Sequence, residues 1–429
     1  MPGPRSFSDL GTPAEVVAVL REAGIETPTP VQSAVLPDAL AGHDVLARAR
    51  TGSGKTIAFA IPVVSRLAGR RSRMHRPRAL VVVPTRELAV QVEGALRPIA
   101  RAHRLRLATI YGGTRYDAQV AALRRASDIV VGTPGRLQDL IDQRVLRTDD
   151  LEVTVLDEAD QLCDLGFHDA VDRLLAATPS TAQRLLLSAT LDGDVDRLVR
   201  AHLRDPRRHD VDTGASVETM SHHVVVAATL GAKLEAAYEL VGAEPRVVVF
   251  ARTRRGATDL RTSFERRGLT AVDLHGDLPQ HVRERNLARF REGRARVVVA
   301  TDVAARGIHV DRIGLVVHFD PPIDAKAYLH RSGRTARAGE SGAVVTLVLP
   351  RQLAGVVALQ DEVAVSALFH DWTTTPRPPT VEALAASGAP TPPVVRPRSR
   401  GGRRRSAAAR ARGSATGPRS GNGEGAGPP

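Results

Sequence analysis

The stretch "ARTGSGKT" at residues 49–56 decides how this chain is read. It follows a short strand-like run, "DVLARA" (44–49), and precedes an apolar helical pattern. Strand, glycine-rich turn and helix together are the context that a phosphate-binding loop requires. Gly52 and Gly54 let backbone N–H groups converge on phosphate oxygens. Lys55 can then reach β- and γ-phosphates, and Thr56 can hold Mg²⁺. The strict pattern opens with glycine where this chain has Ala49, so a plain glycine-rich turn competes with this reading.

On both sides of that loop, short β-branched runs alternate with helical patterns, the signature of parallel α/β sheets. The first half carries "DVLARA" (44–49), "ALVVVP" (79–84), "RLATIYG" (106–112), "DIVVGT" (128–133), "VTVLDEAD" (153–160) and "RLLLSAT" (184–190). The second half carries "HHVVVAA" (222–228), "RVVVFA" (246–251), "TAVDLHG" (270–276), "ARVVVAT" (295–301), "GLVVHFD" (314–320) and "GAVVTLVL" (342–349). Several are apolar throughout, as strands covered on both faces are. The polar "RDPRRHDVDTGASVE" (204–218), with Pro206 and Gly214, reads as the joint between two domains. The expected division is a first domain at 1–208, a linker at 209–220, a second domain at 221–372 and a basic tail at 373–429. A last helix is expected near 351–365. From about Pro376 the chain is rich in Pro, Gly, Ser, Ala and Arg and lacks aromatics, which predicts disorder.

At 429 residues, the chain is too long for one ordinary core, in agreement with two domains. Its only cysteine, Cys163, excludes an internal disulfide or a cysteine metal cluster, and reads as a small buried hydrophobe. Neither a long apolar run nor a secretory pattern is visible, so no membrane span is expected and the cytoplasm is the default location. Net charge is +13, and residues 394–429 hold nine arginines against one acid, Glu424, leaving +5 for the rest. A mildly basic body with a strongly basic tail suggests a polyanionic partner, most often nucleic acid; a merely solubilising tail is the bland alternative. All but three of the 60 cationic side chains are arginine, which with abundant alanine suggests a GC-rich genome.

"VTVLDEAD" places acids at the end of an apolar strand, where open α/β sheets bind ligands. Asp157 is placed to hold Mg²⁺, partly through water, and Glu158 to orient and deprotonate an attacking water. Alone, the segment would read as an acidic loop cap; downstream of a phosphate loop the catalytic reading gains weight.

Here the chain resembles the DEAD-box ATP-dependent RNA helicases, of bacterial type. Asp157-Glu158-Ala159-Asp160 is that family's naming motif, and further motifs follow in its order from about Phe7 to Val348. The resemblance implies two RecA-like parallel-sheet domains in tandem, a P-loop NTPase with its active site split between them, and ATP and Mg²⁺ as cofactors. "GIETPTPVQ" (24–32) is similar to the adenine-reading motif, implying that Thr27 and Gln32 bind ATP, with Phe7 packing on the base. Thr51, Gly52, Ser53, Gly54, Lys55 and Thr56 would cradle its phosphates. Asp302 would sit near the ribose, and Arg334 and Arg337 of "YLHRSGRTARAG" (328–339) would reach the γ-phosphate across the cleft. Asp160, Ser188, Thr190, Arg306, His330 and Arg331 would couple hydrolysis to RNA. Pro84, Thr85, Arg86, Gly112, Gly113, Thr133, Pro134, Gly135 and Arg136 would face RNA from the first domain. Arg252, Gly276, Gln280, Arg283 and Thr301 would do so from the second. Backbone contacts of this kind carry affinity but little sequence information.

The chain departs from the family pattern at Ser332 and Ala336, where Ile and Gly are usual, and at Arg50 and Gln161. The function implied is RNA-stimulated ATP hydrolysis coupled to local, non-processive duplex unwinding or remodelling of RNA–protein assemblies, by a monomer without membrane contact. Ribosomal and RNA-decay assemblies and cold adaptation are all open as settings. Two rival classes stand beside it: an ATP-independent RNA-binding or annealing protein acting through its tail, and a DNA translocase on the same two-domain core.

Overall fold

The computed structural model describes residues 5–49, 52–191, 193–211, 220–305, 310, 312–336 and 341–372. The first sheet is built from β1 (Val45–Arg48), β2 (Ala79–Val82), β3 (Leu107–Ile110), β4 (Ile129–Gly132), β5 (Val153–Asp157), β6 (Gln183–Ser188) and β7 (Arg207–Asp210). The second is built from β8 (Met220–Ala227), β9 (Val247–Phe250), β10 (Ala271–Leu274), β11 (Val297–Ala300), β12 (Leu315–His318), β13 (Gly342–Val348) and β14 (Leu368–Trp372). Every pairing is parallel.

The strand orders are β3-β4-β2-β5-β6-β1-β7 and β10-β11-β9-β12-β13-β8-β14. The second order is the first with each strand number raised by seven, so the chain repeats one architecture twice. Both sheets belong to one compact unit. The inner strands explain the arrangement: "VVVF", "VVVA" and "LVVH" are buried at every position, and helices pack on both faces of each sheet. Two apolar cores result in each half, one per sheet face.

Two edge strands differ from the expectation. Residues 207–210, inside the expected joint, form β7 against β1, and Arg48 grips Asp210 there with Nε at 2.8 Å. The first sheet thus extends to Asp210, past the expected boundary at 208. β14 pairs with β8 beyond the last helix, Leu353–Glu362, and had no counterpart among the expected strands. Linker residues 212–219 and the tail from 373 lie outside the described residues. No helix among the described residues is long and apolar enough to cross a membrane.

Candidate active site

In the first sheet the phosphate-loop and acidic motifs follow the carboxyl ends of β1 and β5, so that sheet gathers them along one rim, while the arginine motif follows β12 of the second sheet. After β1 the chain turns through Gly52 and Gly54, both at positive φ (88° and 95°). A Cβ at Gly54 would come within 2.6 Å of Gln32 Nε2 and 2.9 Å of Thr29 Oγ1, so only glycine fits. Gln32 belongs to the expected adenine reader, and its amide ties that segment to the loop. Nε2 donates to the Gly54 carbonyl at 3.1 Å, and Oε1 accepts from the Thr29 N–H at 2.9 Å. Lys55 opens the Lys55–Leu67 helix; its Nζ, buried, donates to the Ala49 carbonyl at 2.9 Å. Thr56 is half-buried, Thr27 exposed, and Ser53 Oγ buried without a partner among the described residues. Phe7 is only 2% exposed and is part of the first core, which leaves no open ring face for a base. Thr51 and Arg50 lie outside the described residues.

At the end of β5, Glu158 takes the left-handed region (φ 52°), an unusual backbone for a side chain of its size. Asp157 Oδ1 accepts the Glu158 N–H at 3.0 Å. Burial raises the Asp157 carboxyl to about 7, against the pull of Lys55 and with a further push from Glu158. A cation beside it would hold it ionised, so this buried acid fits a divalent ion. No cluster of three or more metal-ligating side chains occurs among the described residues. Gln161, which departs from the family pattern, donates its Nε2 to Glu158 Oε2.

Asp160 is the meeting point of the site. Its N–H donates to Ser188 Oγ at 3.2 Å, and its Oδ2 accepts the Thr190 N–H at 3.2 Å. From the second half, His330 Nε2 stands 3.7 Å from the same oxygen. Burial alone would raise this carboxyl, but His330, Lys55 and Lys326 outweigh it and hold Asp160 well below the usual carboxylate range. Lys326 reaches Asp164 at 2.7 Å, a second contact across the halves.

The basic motif splits by role. Arg331 is bound by Asp302 and lies on the Phe250 ring, so both Asp302 and Arg331 are engaged with each other. Arg334 is 2% exposed, with Nε donating to the His330 carbonyl at 3.2 Å. Arg306 and Arg337 lie outside the described residues. Ser332 Oγ is buried without a partner among the described residues, and Ala336 adopts φ 51°.

The expected RNA-facing residues lie on the same rims. Pro84 and Thr85 are buried, and Thr85 caps the Arg86–Ala102 helix by accepting the Leu88 N–H at 3.2 Å. Arg86 packs against Gly112 and Gly113 and donates to Gln280 Oε1 at 3.3 Å. Gln280 Nε2 reaches Glu87 at 3.2 Å, and Arg283 Nη2 lies 3.1 Å from the same Glu87 oxygen. Gln280 and Arg283 are thus brought against the first sheet. Pro134 starts the Pro134–Asp142 helix after Thr133, with Gly135 exposed. Arg136 lies 5.6 Å from the Tyr116 ring centroid, and its Nη1 is buried without a partner among the described residues. Arg252 and Gly276 are exposed, and Thr301 is buried at the end of β11. Sequence reasoning missed Glu87, Asp164 and Asp320. Asp320 Oδ2 accepts the Arg252 N–H at 2.8 Å while its carbonyl accepts from Arg331. Cys163 is buried, and burial pushes its thiol up to about 12, as suits an inert core residue.

With this geometry in place, the comparisons with known proteins are specific. Residues 29–198 match the family model described as DEAD/DEAH box helicase, and residues 232–339 match the helicase conserved C-terminal domain. The chain is 40% identical over 354 residues to the ATP-dependent RNA helicase DeaD of Haemophilus influenzae, covering 81% of this chain and 57% of that protein. It is 37% identical over 350 residues to the DEAD-box ATP-dependent RNA helicase CshA of Geobacillus kaustophilus, covering 81% of this chain and 74% of the relative. The chain therefore spans little more than half the length of the DeaD protein. Among solved structures it resembles Saccharomyces cerevisiae Dbp5 bound to RNA and ADP BeF3, with TM-score 0.76, 26% identity, and coverage of 86% and 96%. It also resembles Mss116p bound to ssRNA and AMP-PNP, with TM-score 0.79, 27% identity, and coverage of 89% and 81%.

Proposed function

The chain belongs to the DEAD/DEAH box helicase family, and on that premise we propose that it is an ATP-dependent RNA helicase. RNA-stimulated ATP hydrolysis drives local strand separation or remodelling of RNA–protein assemblies. The observation that carries this reading is Asp160, one carboxylate from the acidic motif that contacts Thr190 in its own half and faces His330 in the other. A change at the phosphate end of the site therefore has a direct route to both sheets.

In this reading the loop from Gly52 to Thr56 binds the ATP phosphates, and Gln32 holds the adenine-reading segment against it. Thr56 and Asp157 would hold Mg²⁺, which neutralises charge on the β- and γ-phosphates. Glu158 accepts the proton of the attacking water at its carboxylate, and Gln161 orients that carboxylate. Arg334, carried on the second half, would stabilise charge developing on the γ-phosphate. Arg86, Arg136, Arg252 and Arg283 grip the sugar–phosphate backbone of RNA, whose 2′-hydroxyls tell it from DNA. The relatives named as ATP-dependent RNA helicases, and the neighbours bound to RNA with nucleotide analogues, support the reading. The basic tail raises RNA affinity through counterion release, and deleting 376–429 lowers that affinity while leaving RNA-stimulated hydrolysis in place.

Steady-state ATP hydrolysis with RNA, with DNA of equal length, and without nucleic acid tests the proposal. RNA stimulates the wild-type rate and DNA does not. Glu158→Gln loses about 10²-fold or more, the usual contribution of a general base. Equal stimulation by DNA, or a Glu158→Gln rate within about threefold of wild type, overturns it.

A further inference from the structure

The ligand-facing motifs occupy the carboxyl ends of the first sheet, but the amino ends at its β3 edge are also chemically distinctive. An open pocket of 430 Å³ lies there, lined by Arg97, Arg101, Arg106 and Arg125 among others. The Arg86–Ala102 helix delivers the first two, the turn into β3 delivers Arg106, and the turn into β4 delivers Arg125. Between Gly94 and Tyr116 the sequence has no acidic residue.

The nearby carboxylates neutralise only part of this cluster, and none of them pairs with the side chains of Arg101 or Arg125. Glu93 is paired with Arg97 four residues on. Asp128 is completely buried, and its two oxygens accept the N–H groups of Ser72 and Arg106, each at 2.8 Å. Arg106 Nη1 donates to the Arg125 carbonyl at 2.7 Å, which fixes the two turns together. Arg101 and Arg125 are exposed and make no side-chain hydrogen bond or ion pair among the described residues. Arg101 and Arg125 therefore bring positive charge to the pocket that no ion pair among the described residues answers, and a polyanion would supply the missing counter-charge.

We infer that this pocket is a second RNA-binding site, one that grips backbone phosphates of RNA extending beyond the cleft; the inference rests on the RNA reading above. The helix itself sets the span. Thr85 and Arg86, at its start, are the expected RNA contacts, and Arg97 and Arg101 follow 11 and 15 residues later. At ~1.5 Å per residue that is about 20 Å, a span of several nucleotides of RNA backbone. Four guanidinium groups around a shallow pocket with no exposed aromatic suit phosphate oxygens, and carry no means of reading bases.

The test compares the full-length chain with its Arg101→Ala/Arg125→Ala double variant. Both side chains are exposed, so the fold should be kept. Kd is measured over a range of salt for a single strand of about six nucleotides and for a duplex-bearing RNA of about 25 nucleotides. The expected result is a several-fold loss for the long RNA, a salt slope lower by about 1.5, and no change for the short one, because each lost phosphate contact removes ~0.7–0.9 from the slope. RNA-stimulated hydrolysis with the short strand is also unchanged. An unchanged long-RNA affinity and slope overturns the inference, as does an equal loss for both RNAs. So does retention of long-RNA binding while polyglutamate binding is lost, which would assign the pocket to an acidic protein. Failure of any RNA to stimulate wild-type hydrolysis would count against the helicase reading instead, and is read separately.

Discussion

Arg331 grips Asp302 through two hydrogen bonds, Nε at 2.5 Å and Nη2 at 2.7 Å. Its Nη1 donates to the Asp320 carbonyl at 2.6 Å, and its guanidinium lies 5.0 Å from the centroid of the Phe250 ring. With its side chain 3% exposed, Arg331 braces the ends of β11 and β12 and is not free to reach a phosphate. Arg331→Lys keeps the charge but loses the planar fork. Removing one partner of a buried pair costs ~3–5 kcal/mol, so partial retention should cost about 2 kcal/mol, or several degrees of Tm. Calorimetry checks this, and a Tm within about 1 °C of wild type would show that the brace contributes little.

The two departures in the same basic motif should both be destabilising as they stand. Ala336 adopts the left-handed region, where a residue with a Cβ costs ~1–2 kcal/mol; glycine there loses only ~0.4–1 kcal/mol through the unfolded chain. Ala336→Gly is therefore expected to stabilise by about 0.5–1 kcal/mol. Ser332→Ala removes a buried hydroxyl without a partner among the described residues and should gain about 1 kcal/mol. Urea midpoints should rise in both variants at unchanged slope. A fall in both midpoints would contradict the strain reading.

Gly113, at φ 82°, has no room for a side chain, because a Cβ would run into the Arg86 guanidinium. Gly113→Ala should displace Arg86 and raise the RNA concentration for half-maximal hydrolysis several-fold, while KM for ATP stays constant. An unchanged RNA requirement would mean that Arg86 does not depend on this close approach.

The inner strands were legible because burial on both faces demands apolar, β-branched runs, and such runs have few other readings. β7 was not: "RRHD" pairs through its backbone at a sheet edge, leaves its side chains largely exposed, and reads as a polar turn. β14, "LFHDW", is likewise an edge, and its place is obvious only from the offset of seven between the two strand orders. The phosphate loop and the acids after β5 were legible because their chemistry needs set residue types at set spacing. The role expected of Gln32 came from family resemblance, since nothing local distinguishes it from any helical glutamine. The cross-half contacts Glu87–Arg283 and Asp164–Lys326 join residues far apart in sequence, and no periodicity reports such pairs.

A final prediction concerns acid. His222 Nδ1 lies 2.9 Å from the Tyr328 hydroxyl, and His318 Nδ1 lies 3.0 Å from Thr346 Oγ1, with its ring 5.3 Å from that of Tyr328. Burial, with a smaller push from His223, lowers His222 to about 4; burial and the nearby Arg331 charge hold His318 well below its ordinary value. The unfolded chain takes up these protons near pH 6.5, whereas the folded chain resists until about pH 4 for His222. The unfolded state thus binds more protons in that window, so stability is full above pH 6.5 and falls as pH drops toward 4. For His222 alone the loss is about 3 kcal/mol over that range. Asp160 acts in a different window, since its depressed carboxyl loses its contribution only below the ordinary carboxylate range, as pH falls toward its folded value. From pH 7 to 4.5 the raised Asp157 carboxyl works the other way, stabilising the fold as pH falls, and it does so in wild type and variant alike; the difference between their urea midpoints therefore reports His222, and the wild type should lose more of its midpoint than His222→Gln over that range. Parallel slopes for the two proteins would mean that His222 is not charged on unfolding, and would remove this site from the account of acid sensitivity.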